Sequence, residues 1–353
     1  MKFCFFNTVK SWGGGEKWHF ENALALERRG CEVVIFANKG SELSKKAVES
    51  GIRVYELNMG NLSFLNPFKK AKFKRWLISE GFDVIIFNTP TDVKFASKIA
   101  RNAGVKHVLL RRGSALPIKN NAVNRKAFDD LTMVIANSLA TKASLFKNNS
   151  SFIPESKIKI LYNGIRIPDR ISKNESDNRI PTIGNLGRMV YQKGQDLLIE
   201  VANELNRRGV DFRLKIGGIG IMEEKLKEMA KAYGIQDKVE FCGFITDAYG
   251  FLDSIDIFAL TSRGEGFGNV LAEAMVVKKP IISFDCSSAP EVVIDGVNGL
   301  LVKYADISAY ADAVEDLIKD ENKRKSFGEN GYDIVRDRFE FENNVDRLLS
   351  LFK

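Results

Sequence analysis

The sequence predicts an α/β protein made of two doubly wound parallel-sheet domains, one in each half of the chain, and three observations lead there. Short runs rich in Val, Ile and Phe recur along all 353 residues and alternate with stretches of helical spacing. Most of these runs are apolar at successive positions rather than at every second one, as strands covered on both faces must be. Between the halves lies PDRISKNESDNRIP (168–181), a polar stretch with Pro168 and Pro181 at its ends and no apolar period, which reads as an interdomain linker. A chain of this length also favours two cores over one. Each half therefore reads as a Rossmann-like layer.

In the first half the strands read KFCFFN (2–7), CEVVIFA (31–37), RVYELN (53–58), DVIIFN (83–88), KHVLLR (106–111) and TMVIANS (132–138). Between the first two lies EKWHFENALALERRG (16–30), where Trp18, Glu21/Asn22 and Leu24/Leu26 roughly follow helical spacing and Gly30 ends the helix. In the second half TIGNLGR (182–188), FRLKIGG (212–218), VEFCGF (239–244), IDIFAL (255–260) and PIISFD (280–285) repeat the pattern. The expected organisation is a domain at 1–167, the linker at 168–181 and a domain at 182–339. A C-terminal helix at 340–353, containing NNVDRLLSLFK, packs back on the first domain.

Composition narrows the function. Apolar content of 44% with 28% charged residues suits a soluble globular chain. The longest apolar runs are about five residues, against roughly 20 for a membrane span. The start MKFCFFNTV runs straight into WGGGEKW, a first strand feeding a loop rather than a secretory signal. Four scattered cysteines without a C-x-x-C pair point to a reduced, cytoplasmic chain. Charge is divided: residues 1–170 carry 29 Lys/Arg against 14 Asp/Glu, and residues 171–353 carry 24 against 31. A basic first half suggests an anionic partner, such as a phosphorylated acceptor, an acidic leaflet or nucleic acid; the bland reading is a surface solvated by lysine.

IDIFAL runs into TSRGEGFGNVLAEAM (261–275), which holds Glu265 and Glu273 around a glycine-rich turn. In open parallel sheets, ligands bind beyond the carboxyl ends of the strands. Gly264, Gly266 and Gly268 let the backbone bend and approach a ligand, and a helix from about Asn269 aims its N-terminus there. Glu265 falls in the loop, and Glu273 about two helical turns deeper. Acid/base catalysis on a glycoside requires two carboxylates roughly 5–9 Å apart flanking one bond, a poor match for one loop residue and one mid-helix residue. Two carboxylates accepting from a hydroxyl-rich ligand fit better. Two plain charges at a helix start would leave the density of glycines unaccounted for.

EGFGNVLAEAM, followed by KPIISFDCSSAPEVVIDGVNGLLV, resembles the donor-binding half of the retaining glycosyltransferases of family 4 (glycosyl transferases group 1), which have the GT-B fold. The likeness extends through GNLGRMVYQKGQDLLIEVANEL (184–205), IGGIGIMEEKL, VEFCGFITD and, near the start, GGGEKW. The resemblance implies two Rossmann-like domains facing a central cleft, and it assigns roles. Arg188 and Lys193 resemble the cations that grip the donor diphosphate, which suits a fixed guanidinium and a mobile ammonium. Glu273 resembles the ribose-binding glutamate and Glu265 the one that contacts the transferred sugar. Main-chain N–H groups of Phe267, Gly268 and Asn269, beside Gly266, approach the sugar or phosphate. Gly14 and Gly15 resemble the loop that meets the phosphates, and Phe244 falls where the family holds the base.

The sequence also departs from the family. Where many members have a His-Gly pair after an N-domain strand, this chain has Arg112-Gly113. Arg112 is expected to touch sugar hydroxyls, phosphate or an anionic acceptor, with Arg111 on the opposite face. His107, at the start of that strand, and His19, on the first helix, read as structural. With no Asp-x-Asp and two histidines, neither a metal site nor any other cofactor is expected, and cations and helix N-termini would stabilise the leaving diphosphate. NPFKKAKFKRWLISEG (66–81) sets Phe68, Phe73, Trp76 and Leu77 among five Lys/Arg. It reads either as a helix lying on an anionic leaflet or as a surface helix burying Phe73, Trp76 and Leu77. Nucleic acid is the weakest partner, because no motif for it is present.

The expected activity is retaining transfer of a sugar from a UDP- or GDP-sugar to a glycan or lipid-linked acceptor bound by the basic domain. Arg188, Lys193 and Glu265 would do the catalytic work through electrostatics and positioning, with domain closure hinged near 165–181. By analogy with the family, lipopolysaccharide or polysaccharide assembly at the cytoplasmic face of the membrane suits such a chain. The alternatives are a nucleotide-sugar epimerase or phosphorylase of the same fold, and a non-catalytic sugar- or membrane-binding homologue. A dinucleotide dehydrogenase is weakest, since GGIGIM (217–222) lacks the third glycine of G-x-G-x-x-G.

Overall fold

In the computed structural model, residues 1–60, 62–147, 153–169 and 180–353 are described. The chain divides into two compact units, Met1–Asn163 with Glu342–Lys353, and Gly164–Phe341. Of the stretch read as a linker, 170–179 lies outside the described residues.

The first unit is built on seven parallel strands: β1 (Lys2–Asn7), β2 (Glu32–Asn38), β3 (Arg53–Leu57), β4 (Val84–Phe87), β5 (His107–Arg112), β6 (Met133–Ala136) and β7 (Ile158–Ile160). Their order is β3-β2-β1-β4-β5-β6-β7. Helices α1 (Gly14–Arg28), α2 (Glu42–Glu49), α3 (Pro67–Glu80), α4 (Pro90–Asn102), α5 (Ala122–Asp129) and α6 (Leu139–Ser144) connect them. The pleat sends successive side chains to opposite layers. From β1, Phe6 packs on Phe73 and Phe95, whereas Phe5 packs on Trp18 of α1 and Phe3 on Phe352 near the C-terminus. That end of the chain is also tied down by Arg29, which pairs with Glu342 at 2.7 Å and Asp346 at 3.0 Å.

Helix α3 shows which residues of 66–81 are buried. Asn66 caps it, Pro67 opens it, and Gly81 closes it at φ +67°. Phe73 and Leu77 are buried, and Trp76 stacks on Tyr55 with ring centroids 4.3 Å apart. Phe73 and Trp76 therefore lie against the core, and Phe68 alone of the four is exposed, at 84%. The physical reason is the neighbouring cluster of Phe6, Phe36 and Phe82, which the apolar stripe of α3 covers.

The second unit repeats the plan with six parallel strands: β8 (Thr182–Leu186), β9 (Arg213–Gly217), β10 (Val239–Phe241), β11 (Ile257–Leu260), β12 (Ile281–Phe284) and β13 (Gly299–Val302), in the order β10-β9-β8-β11-β12-β13. Around them run α7 (Gln195–Arg207), α8 (Glu223–Ala232), α9 (Ala248–Asp253), α10 (Asn269–Val276), α11 (Ala289–Val292), α12 (Ile307–Lys319) and α13 (Glu321–Ile334). Helix α14 (Phe341–Ser350) leads into the C-terminus. β7 and β13 are strands the run pattern missed. Both are short and lie at sheet edges, with partly exposed residues that blur an apolar run. No helix among the described residues is long and apolar enough to cross a membrane.

Candidate functional site

In each sheet the winding reverses once, between β1 and β4 in the first unit and between β8 and β11 in the second. Loops leaving the two strands at such a reversal diverge and open a crevice. In the second unit those loops are 187–194, after β8, and 261–268, after β11. They carry Arg188, Lys193 and Glu265, so the fold itself brings these residues together.

The two loops are stitched to each other. The Arg263 amide donates to the Gln192 carbonyl at 2.8 Å, and the Gln192 side chain donates to the Gly264 carbonyl at 2.7 Å. Arg263 makes a bidentate pair with Asp196, both bonds 2.7 Å, and lies 4.0 Å over the Tyr191 ring. Gly194 sits at φ +66°, and a Cβ there would lie 2.0 Å from the Thr261 carbonyl oxygen, so no other residue permits this approach.

Glu265 is at the centre. Its Oε1 accepts from Lys193 Nζ at 2.7 Å and from Ser262 Oγ at 2.6 Å, and the residue is only 8% exposed. Its backbone is held from the next loop, where Ser287 Oγ accepts from the Glu265 amide at 3.1 Å and donates to the Glu265 carbonyl at 2.7 Å. Arg188 is exposed, without an ion pair or side-chain hydrogen bond among the described residues. Cys286 donates to the Ser262 carbonyl, and burial, with Asp285 and Glu265 nearby, pushes its thiol up to about 11. It is therefore a thiol, not a nucleophilic thiolate, at neutral pH.

The other candidates fall around this centre. Helix α10 starts at Gly268, φ +80°, without a side-chain cap, as α7 does at Gly194. α9, α12 and α13 are each capped by an aspartate. Asn269 begins α10, and Glu273 is half-buried within it. Phe267, next to Gly266, is buried, its ring 5.2 Å from that of Phe339. Phe244, beyond β10, is 70% exposed at a hollow of about 380 Å³ shared with Lys215, Glu240 and Asp247. No group of three or more His, Cys, Asp or Glu among the described residues is placed to hold a metal ion.

The remaining site residues belong to the first unit. Gly13 starts α1 without a side-chain cap, in contrast to α2 through α6. A Cβ at Gly15 would lie 2.5 Å from the Asn88 side chain, whereas Gly14 faces open space. Glu16 accepts from Asn7 at 3.2 Å and Asn88 at 2.8 Å, linking the loops of that winding reversal. Arg112 donates to the Leu116 carbonyl at 2.6 Å, and burial lowers it. Arg111 is the one turned to α1: its guanidinium lies 5.2 Å over Trp18, donates to Asn163 and feels Glu16. His19 is fully buried against Phe5, and His107 lies at the amino end of β5 beside Phe352.

At the carboxyl ends of β1 to β4 is a second hollow of about 460 Å³, lined by Thr8, Lys10, Asn38, Gly60, Thr89 and Thr91, among others. Beneath it Asp92 accepts from Thr8 Oγ1 and from the Thr89 amide. The sequence reading missed this hollow, and also Ser262, Arg263, Asp196 and Ser287. Ser262, three residues before Glu265, had a local signal in the S-x-x-E spacing. Ser287 reaches Glu265 from 22 residues away, and Asp196 reaches Arg263 from 67 residues away.

Comparison with known proteins accords with this geometry. Residues 12–167 match the family described as Glycosyltransferase Family 4, and residues 167–334 match Glycosyl transferases group 1. The chain is 27% identical to a GDP-mannose-dependent alpha-(1-6)-phosphatidylinositol monomannoside mannosyltransferase of Mycolicibacterium smegmatis, over 96% of this chain and 94% of that one. It is 25% identical to the lipopolysaccharide core biosynthesis glycosyltransferase LpsE of Rhizobium meliloti, over 99% and 98%. Among solved structures, Anabaena HepE in complex with UDP superimposes with a TM-score of 0.86 at 21% identity, covering 99% of each chain. Two winding reversals, the loops they place and matches spanning both units lead to one assignment: the chain belongs to the family 4 glycosyltransferases and has their GT-B fold.

Proposed function

We propose that this glycosyltransferase is a retaining enzyme that takes its sugar from a nucleoside-diphosphate donor bound at the β8/β11 reversal. The supporting observation is the cluster of Lys193, Glu265 and Ser262 beside the exposed Arg188 and the glycine-started helices α7 and α10. An ammonium has three N–H donors, so Lys193 can hold Glu265 and a phosphate oxygen together. Arg188 and the N-terminus of α10 supply further positive potential for the departing diphosphate, without a metal ion or other cofactor. Glu273 takes the ribose, and Phe244 lies against the base. The bond from the anomeric carbon to the diphosphate breaks, and its electron pair leaves with the diphosphate. The acceptor hydroxyl attacks on the same face and passes its proton to the leaving phosphate oxygen. GDP in the name of the mycobacterial relative and UDP in the HepE complex support a UDP- or GDP-sugar.

The acceptor is a glycan or lipid-linked saccharide carrying negative charge, bound in the 460 Å³ hollow of the basic unit, where Lys10 and threonine hydroxyls face it. Names of relatives acting on phosphatidylinositol mannoside and lipopolysaccharide core support that class. Leu62, Leu65 and Phe68 are exposed just ahead of the exposed Lys72, Lys74 and Arg75, which supports peripheral contact with the anionic inner face of the cytoplasmic membrane. NMR of the product formed from UDP- and GDP-sugars with glycolipid acceptors tests the reaction. The expected product keeps the anomeric configuration of the donor; an inverted product, or release of sugar phosphate alone, contradicts the reading.

A further inference from the structure

Ser287 has a backbone that its residue type disfavours. It sits at φ +55°, and only Lys278 and Ala305 share a positive φ among the described non-glycine residues. A glycine would adopt this conformation without strain, so a serine there invites the question of what its hydroxyl does. The hydroxyl makes two bonds to one residue: it accepts from the Glu265 amide at 3.1 Å and donates to the Glu265 carbonyl at 2.7 Å. Ser288 Oγ also reaches that carbonyl, at 3.3 Å. Ser262 holds the other end of the same residue, at the carboxylate. The left-handed turn carries the Ser287 hydroxyl from the loop after β12 onto the loop after β11, which the 187–194 loop braces from the β8 side.

We propose that Ser287 is a positioning residue for Glu265, fixing the carboxylate against Lys193 where the transferred sugar is to lie. The proposal rests on the reading of Glu265 as the sugar-contacting group. Glu265 is then gripped at both ends, by Ser287 at its peptide units and by Ser262 at Oε1, so its placement does not depend on bound sugar. Displacement of a catalytic group by about 1 Å costs up to roughly 100-fold in rate, so loosening one of two grips should cost about 10-fold.

Ser287→Gly and Ser287→Ala separate positioning from structure, because both delete the hydroxyl but only glycine relieves the backbone. Glycine should leave Tm near wild type, whereas alanine should lower it by a few degrees. Both variants should lose about 10-fold in kcat, with donor KM within about 2-fold, so that activity follows the hydroxyl rather than Tm. In a Glu265→Gln background, Ser287→Gly should cost less than about 2-fold more, because its effect passes through the carboxylate. Wild-type kcat in Ser287→Gly while Glu265→Gln is severely impaired overturns the proposal, as does a further 10-fold loss in the double variant. Full activity in Glu265→Gln instead overturns the reading of Glu265 on which the proposal stands.

Discussion

Asp92 shows at the scale of one residue how burial sets chemistry. It is 1% exposed, and burial pushes its carboxyl from 3.8 up to about 6, against the opposing hydrogen bonds from Thr8 and Thr89. The folded chain thus holds this proton more tightly than the unfolded chain does. Its favourable contribution is full below pH 3.8 and is lost as pH rises through 6. Urea melts of wild type and Asp92→Asn should therefore diverge in favour of wild type by up to about 3 kcal/mol between pH 7 and pH 4. A difference independent of pH contradicts the assignment. Residues of this kind were hidden in the sequence: nothing within TDVKFA marks Asp92 as buried, since Thr8 reaches it from 84 residues away. Glu265, Arg188 and Lys193 were legible because they sit in glycine-rich loops directly after strands. The contacts of Ser287 and Arg263 with these loops and their neighbours were not, because their partners are distant in the chain and their residue types are ordinary.

Among the elements, α3 is the most instructive. Its span was readable from Asn66, Pro67 and Gly81, yet its inner face was not, because lysines and aromatics interleave on every turn. The adjoining Phe6–Phe36 stack, 4.1 Å between centroids, decides the matter by offering an apolar wall. Phe73→Ala should accordingly cost about 3–5 kcal/mol in stability. Phe68→Ser should leave stability within about 0.5 kcal/mol but weaken sedimentation with vesicles containing phosphatidylserine. Equal effects of the two substitutions on stability would contradict the placement of α3, and unchanged vesicle binding by Phe68→Ser would contradict the membrane contact. Strands show the same division: β1, β2 and β4 announced themselves as apolar runs, whereas β7 and β13 depend on a single neighbour at the sheet edge.

Across the whole molecule, two units repeat one plan, and the two halves of the sequence differ in charge, +15 over residues 1–170 and −7 over 171–353. The plan was legible from strand–helix alternation, because parallel sheets need helical crossovers and buried runs. The charge division was legible from composition. Neither the winding reversals nor the hollow above β1–β4 could be read before strand order was known. In the proposed function the β8/β11 reversal holds a nucleoside-diphosphate sugar through Arg188, Lys193 and Glu273. The most direct measurement is steady-state transfer from UDP- and GDP-sugars by wild type, Arg188→Ala, Lys193→Ala and Glu273→Ala. A loss of about 100-fold or more in kcat/KM is expected for the two cation variants. For Glu273→Ala a rise in donor KM of about 10-fold is expected. Wild-type kinetics in all three variants would contradict the proposed function.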